Sequence, residues 1–136
     1  MTEELFAAVE AGDIEEARRL LDGGADVRAH GKRETKHGPA TAKPFVTPLH
    51  QAAERGNTEM VRLILGYGVD VDEHDGYGNT PLFYAVWDND TEMVRLLLDS
   101  RADANAKNSA GTTLLSSAAG NGNTEMVVLL RQHGCV

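Results

Sequence analysis

At 136 residues and 41% hydrophobic content the chain is sized for one domain and apolar enough to build a core. Its net charge of −8 excludes the broad basic face of a general nucleic-acid binder and argues against an anionic membrane surface. No apolar run approaches the roughly 18 residues that span a bilayer. The start, MTEELFAAVEAGD, lacks the basic-then-apolar order of a secretory signal. The single cysteine, Cys135, has no internal disulfide partner, so a reducing cytoplasmic compartment is expected, or the nucleus if the chain is eukaryotic.

From the N-terminus, LFAAVEAGDIEEARRLLDGGADV (from Leu5) reads as two short helices broken at Gly12, with Asp13 as the cap of the second. Residues 30 to 46, HGKRETKHGPATAKPFV, then set four basic residues against one acid, so the other 119 residues carry −11. A second helix pair follows. Leu49, Ala52 and Ala53 give a small-residue apolar face, and Gly56 breaks the helix in a left-handed turn. Asn57 caps the next helix, Glu59 faces its positive end, and Met60, Val61, Leu63, Ile64 and Leu65 form its apolar stripe.

The pattern recurs 33 residues apart. TPLHQAAERG, TPLFYAVWDN and TLLSSAAGNG start at Thr47, Thr80 and Thr113; NTEMVRLILGYGVDV, DTEMVRLLLDSRADA and NTEMVVLLRQHGCV start at Asn57, Asp90 and Asn123. Helix pairs this short cannot bury their apolar faces alone, so stacking into a solenoid is expected, curved with the first helices on the concave side. The spacing from Asp70 to Thr80 and from Asp103 to Thr113 is ten residues, whereas Asp26 to Thr47 is 21. The basic stretch is therefore an eleven-residue insertion, tolerated at small entropic cost. Phe45 and Val46 are expected to pack at its base.

TPLH at 47–50, TPLF at 80–83, GADV at 24–27 and the turn Asp75, Gly78, Thr80 resemble ankyrin repeats. The resemblance implies an all-α ankyrin-repeat solenoid of helix–turn–helix units joined by β-hairpin-like loops. The chain divides accordingly into repeat one (about 2–30), the basic insertion (about 31–46), repeat two (47–79), repeat three (80–112) and an incomplete repeat four (113–136). The sequence departs from the family pattern where His50 becomes Phe83 and Ser116, where Pro48 and Pro81 become Leu114, and where the turn glycine becomes Asn89.

The resemblance also implies a non-catalytic adaptor or inhibitor that binds another protein through its concave face and loop fingers. Lys32, Arg33, Lys36 and Lys43 are the candidates for charge steering, and Tyr77 and Trp87 the candidate anchors, Trp87 exposed on the groove. Glu54, Arg55, Asn79, Asp88, Ser109, Thr112 and Asn121 occupy the remaining surface positions. His50 has the structural role of the TPLH motif. His30 and His74, equivalent in successive fingers, approach each other but lack the spacing of a metal site, so no metal and no cofactor is expected. Gly120 and Gly122 sit at the inter-helix turn rather than in a phosphate loop, and Ser116-Ser117 lacks a base at nucleophile spacing. The alternative reading is a structural stacking fragment of a longer repeat array, or a unit that self-associates weakly through an uncapped fourth repeat; a monomer is the expected state.

Overall fold

The computed structural model describes residues 2–33 and 45–135. These contain four helix pairs: α1 (Thr2–Ala11) with α2 (Ile14–Asp22), α3 (Pro48–Glu54) with α4 (Thr58–Leu65), α5 (Pro81–Trp87) with α6 (Thr91–Asp99), and α7 (Leu114–Gly120) with α8 (Thr124–Gln132). Each second helix starts on the residue type that the sequence offers for it. Asp13, Asn57, Asp90 and Asn123 each accept a hydrogen bond from the backbone N–H three residues on, at 3.1, 3.0, 3.1 and 3.0 Å. Such caps are worth about 1 kcal/mol apiece. Asn89 takes the turn glycine's place at φ 54°, a conformation Asn tolerates better than most residues.

The first helices pack side by side in the row α1–α3–α5–α7, and more closely than the second helices pack on one another. Ala8, Ala52, Ala85 and Ala118, all buried, let these backbones approach. A row spaced more tightly on one side bends the stack toward that side, so the first helices line the concave face. The core runs continuously between the two helix rows, from Leu5 and Phe6 through Leu49, Met60, Leu82 and Met93 to Leu114 and Leu130.

The basic insertion leaves and re-enters the fold through a two-stranded antiparallel pair, β1 (Gly31–Lys32) and β2 (Phe45–Val46), in the register Gly31 to Val46 and Lys32 to Phe45. Val46 is buried at its base, as expected, but Phe45 is 48% exposed. The strand pair explains the difference: neighbouring residues on a strand point to opposite sides, so only one of the two can face the core. The next fingers stack on this stem. Gly76 N–H donates to Phe45 O at 2.8 Å, and Ser109 N–H donates to Tyr77 O at 3.0 Å. Gly78 permits that approach: with φ at +77°, a side chain there would also meet Ser109 N at 2.8 Å.

Candidate partner-binding surface

The groove is built from the repeat register. Near the C-terminal ends of the first helices stand Glu10, Glu54, Trp87 and Gly120; one position on stand Ala11, Arg55, Asp88 and Asn121. Arg55 is exposed and reaches back one repeat, its Nη2 donating to Glu10 at 3.1 Å. Glu54 and Asp88 are half-buried and Asn121 is exposed. Beneath this row Gln51 is buried, and its Oε1 has no hydrogen-bond partner among the described residues.

Trp87 does not stand free on the groove as expected. It is half-buried, stacked on Tyr84 (centroids 6.0 Å apart, 28° between planes) and tilted against Phe83 at 5.4 Å. Its Nε1–H donates to Ser117 Oγ at 3.1 Å, which ties repeat three to repeat four. Aromatics three and four residues apart share a helix face, so Phe83 and Tyr84 draw the indole down onto the helix. One repeat on, Gly120 holds the equivalent position, and a side chain there would meet nothing within 4 Å.

The fingers are held from within. Asp75, buried, accepts from Tyr77 N–H at 2.8 Å and Asn79 N–H at 2.9 Å, and also from the Tyr84 hydroxyl at 2.5 Å. Burial, and then this bond to Asp75, push the Tyr84 hydroxyl far above its ordinary range. Asn108 repeats the turn one finger on, accepting from Ala110 and Thr112 N–H at 3.0 Å each. Asn79 corrects an expectation. Placed among the surface candidates, it is only 5% exposed, because its side chain bonds to Asp75 and accepts from Asn108 Nδ2 at 2.9 Å. Tyr77 is 40% exposed at its finger tip, Ser109 is exposed, and Thr112 is half-buried.

Of the basic candidates, Lys36 and Lys43 lie outside the described residues. Lys32 is exposed, its ammonium 5.2 Å from the Phe45 ring centroid. Arg33 is committed internally: it bonds Glu3 at 2.8 Å and lies over the Phe6 ring at 4.2 Å, so its charge pins the hairpin stem to α1.

His50 takes the structural role read from the sequence. Its Nδ1 accepts from Thr47 N–H at 3.3 Å and lies 2.8 Å from Thr47 Oγ1, and its Nε2–H donates to Asn79 O at 2.8 Å, which ties α3 to the finger that leads into α5. Burial depresses its pKa to about 4. The fingers do bring His30 and His74 together, His30 Nε2–H donating to His74 O at 3.1 Å. Among the described residues no three His, Cys, Asp or Glu side chains gather as a metal site, and no helix is long and apolar enough to cross a membrane.

Stacked helix pairs, fingers built on turns that start with Asp75 or Asn108, and a histidine that ties its helix to the following finger together define a repeat scaffold with a solvent-facing groove. The family model described as ankyrin repeats (3 copies) matches residues 5–108, and that described as ankyrin repeats (many copies) matches 88–131. The chain belongs to the ankyrin-repeat family. It is similar to ankyrin repeat and SOCS box protein 16 of Homo sapiens, 39% identical over 64 residues, which are 47% of this chain and 12% of that protein. It is also similar to the ARF GTPase-activating protein Git of Drosophila melanogaster, 32% identical over 80 residues, 59% of this chain and 10% of that one. An ankyrin repeat protein of fowlpox virus (strain NVSL), FPV244, is 69% identical over 26 residues, 19% of this chain and 4% of the relative. The chain thus spans a small fraction of the length of these relatives. Ankyrin repeats are in general protein–protein interaction modules.

Proposed function

We propose that the chain is a non-catalytic adaptor or inhibitor, acting as one stacked unit that holds a partner protein against its concave face and finger tips. The observation that carries this reading is the composition of the groove floor and finger tips. Structural demands account for Asn79, His50, Asp75 and the indole N–H of Trp87, but not for an exposed Tyr77 at a finger tip. Tyr exposed at a finger tip and Trp half-buried at the end of a first helix are residue types that often anchor interfaces. Lys32, Glu54, Arg55, Asp88, Ser109, Thr112 and Asn121 supply the polar rim; Lys36 and Lys43 are assigned to it from the sequence alone.

A photo-crosslinking residue placed at Arg55 should capture a partner from lysate that one placed at Glu92, on the opposite helix row, does not. Capture through Glu92 alone overturns the reading. A second reading, self-association through repeat four, is favoured by the half-exposed Leu115 and Val127, whose equivalents Leu49, Leu82, Val61 and Val94 are all buried. Concentration-dependent sedimentation tests it.

A further inference from the structure

The outer face of the stack carries a feature that the concave groove does not explain. We infer that the cleft between α6 and α8 receives the apolar stripe of a helix belonging to a partner protein. The cleft lies on the opposite helix row from the groove, so the two surfaces are independent of one another.

The cleft owes its character to a break in the repeat. Five residues beyond the caps Asp13, Asn57 and Asp90 stand Arg18, Arg62 and Arg95, all exposed, whereas the same place after Asn123 holds Val128. A single exposed valine is ordinary on a protein surface. Val128, however, is 49% exposed and shares with the buried Leu129 the lining of a cavity of about 330 Å³. The rest of the lining includes Thr91 and Arg95 from α6 and Glu125 and Gln132 from α8. The corresponding cleft between α2 and α4 is lined by Ile14 and five charged residues, so it offers no comparable apolar seat.

Size, walls and charge say what fits. About 300 Å³ is the small end of ligand-sized pockets, room for one or two apolar side chains rather than a whole segment. The walls are helices, whose backbone groups bond within themselves, so an extended strand finds no edge to pair with. A helix needs no such edge and presents its anchors as a stripe at i, i+3, i+4 and i+7. The rims are opposite in sign, Arg95 on α6 and Glu125 on α8, and among the described residues neither makes an ion pair. The partner helix that matches them carries an acid on the flank over α6 and a base on the flank over α8. The net charge of −8 disfavours an anionic membrane as the apolar surface instead.

The test uses the whole chain and a short alanine-based helical peptide with leucines at helical spacing, glutamates along one flank of that stripe and lysines along the other. On titration the methyl resonances of Val128 should shift, while the emission of Trp87, the only tryptophan, should stay unchanged. Val128→Arg restores the residue of the other copies and should weaken peptide binding at least about tenfold. Glu125→Gln should weaken it too, whereas Glu59→Gln, the same change at the same place in α4, should leave affinity within about twofold. Equal losses from the two glutamine variants would mean diffuse attraction and overturn the inference. So would a Val128 methyl that does not respond at millimolar peptide, or equal binding of a peptide whose leucines are replaced by serine. Self-association in sedimentation that Val128→Arg abolishes, without peptide binding, would assign the cleft to a second copy of the chain and overturn it as well. A response of Trp87 in place of Val128 would put the peptide on the concave face, removing the outer cleft as a site while leaving the groove reading intact.

Discussion

Helices α3 and α7 begin alike and end up in different surroundings. Thr47 and Thr113 both close a capping box with the residue three positions on, His50 in one case and Ser116 in the other. Yet every residue of α3 from Pro48 to Ala53 is buried, whereas α7 buries only Leu114 and Ala118. The difference lies in the residues that face the next repeat. Leu49, His50 and Ala53 are covered by α5 and its finger; their equivalents Leu115, Ser116 and Ala119 are half-buried or exposed. Local hydrogen bonding is thus the same in these two copies, though α5 lacks it, Thr80 making no side-chain cap bond, while burial is conferred by neighbours on both sides, as expected for a quasi-one-dimensional stack.

The sharpest way to break this comparison is to delete the same side chain twice. Leu49→Ala should cost about 2–5 kcal/mol in denaturant unfolding, and Leu115→Ala under about 1 kcal/mol, because a cavity forms only where packing surrounds the residue. Equal losses would contradict the account. The next effect concerns His50. Its pKa falls to about 4 in the folded chain, from about 6.5 unfolded, because burial disfavours the charged ring. The unfolded state therefore binds more protons between these values, and stability present above pH 6.5 is lost as pH falls toward 4. The loss is about 3 kcal/mol from this residue. His50→Phe, which copies Phe83, should flatten the acid limb of a stability–pH curve, and Ser116 substitutions should leave it unchanged. A smaller effect sharpens the shared half of the comparison: Thr113→Val removes a cap that α7 does have and should cost about 1 kcal/mol. Amides of residues 113–135 should also exchange faster than those of 47–99; equal protection at high dilution would show that α7 and α8 do not depend on outer cover. Smallest is the insertion. Deleting residues 34–44 restores the common finger spacing, and each doubling of loop length costs only about 0.6 kcal/mol. The melting temperature should move by a few degrees at most.

Much of this was legible in the sequence because repetition makes local chemistry count several times over. The four caps and the Asn89 turn follow from residues within one helix pair, and the 33-residue period and the place of the insertion from laying the copies side by side. What escaped was contact between copies. Asn79 reads as a surface polar residue until Asn108, 29 positions on, is seen to bond to it. Arg33 reads as a steering charge, but Glu3, 30 positions earlier, claims it. Trp87 is the instructive miss, since Phe83 and Tyr84 on its own helix were enough to predict that the indole would lie down.

The finger-to-finger bonds, Gly76 to Phe45 and Ser109 to Tyr77, run along one margin of the stack, whereas the second helices on the far side meet thinly. Elastically, the molecule is a strip with one inextensible edge and one compliant edge. Pulling the repeats apart at the fingers requires breaking backbone hydrogen bonds, whereas the side of α2, α4, α6 and α8 is joined through longer side chains, such as Tyr67 to Asp22 and Asn105 to Gly134 O, which can swing as the spacing changes. The soft mode is therefore a change of curvature about the finger line. A rigid partner wider or narrower than the resting groove would be met by flexing the outer helices, with the finger tips keeping their spacing as a ruler.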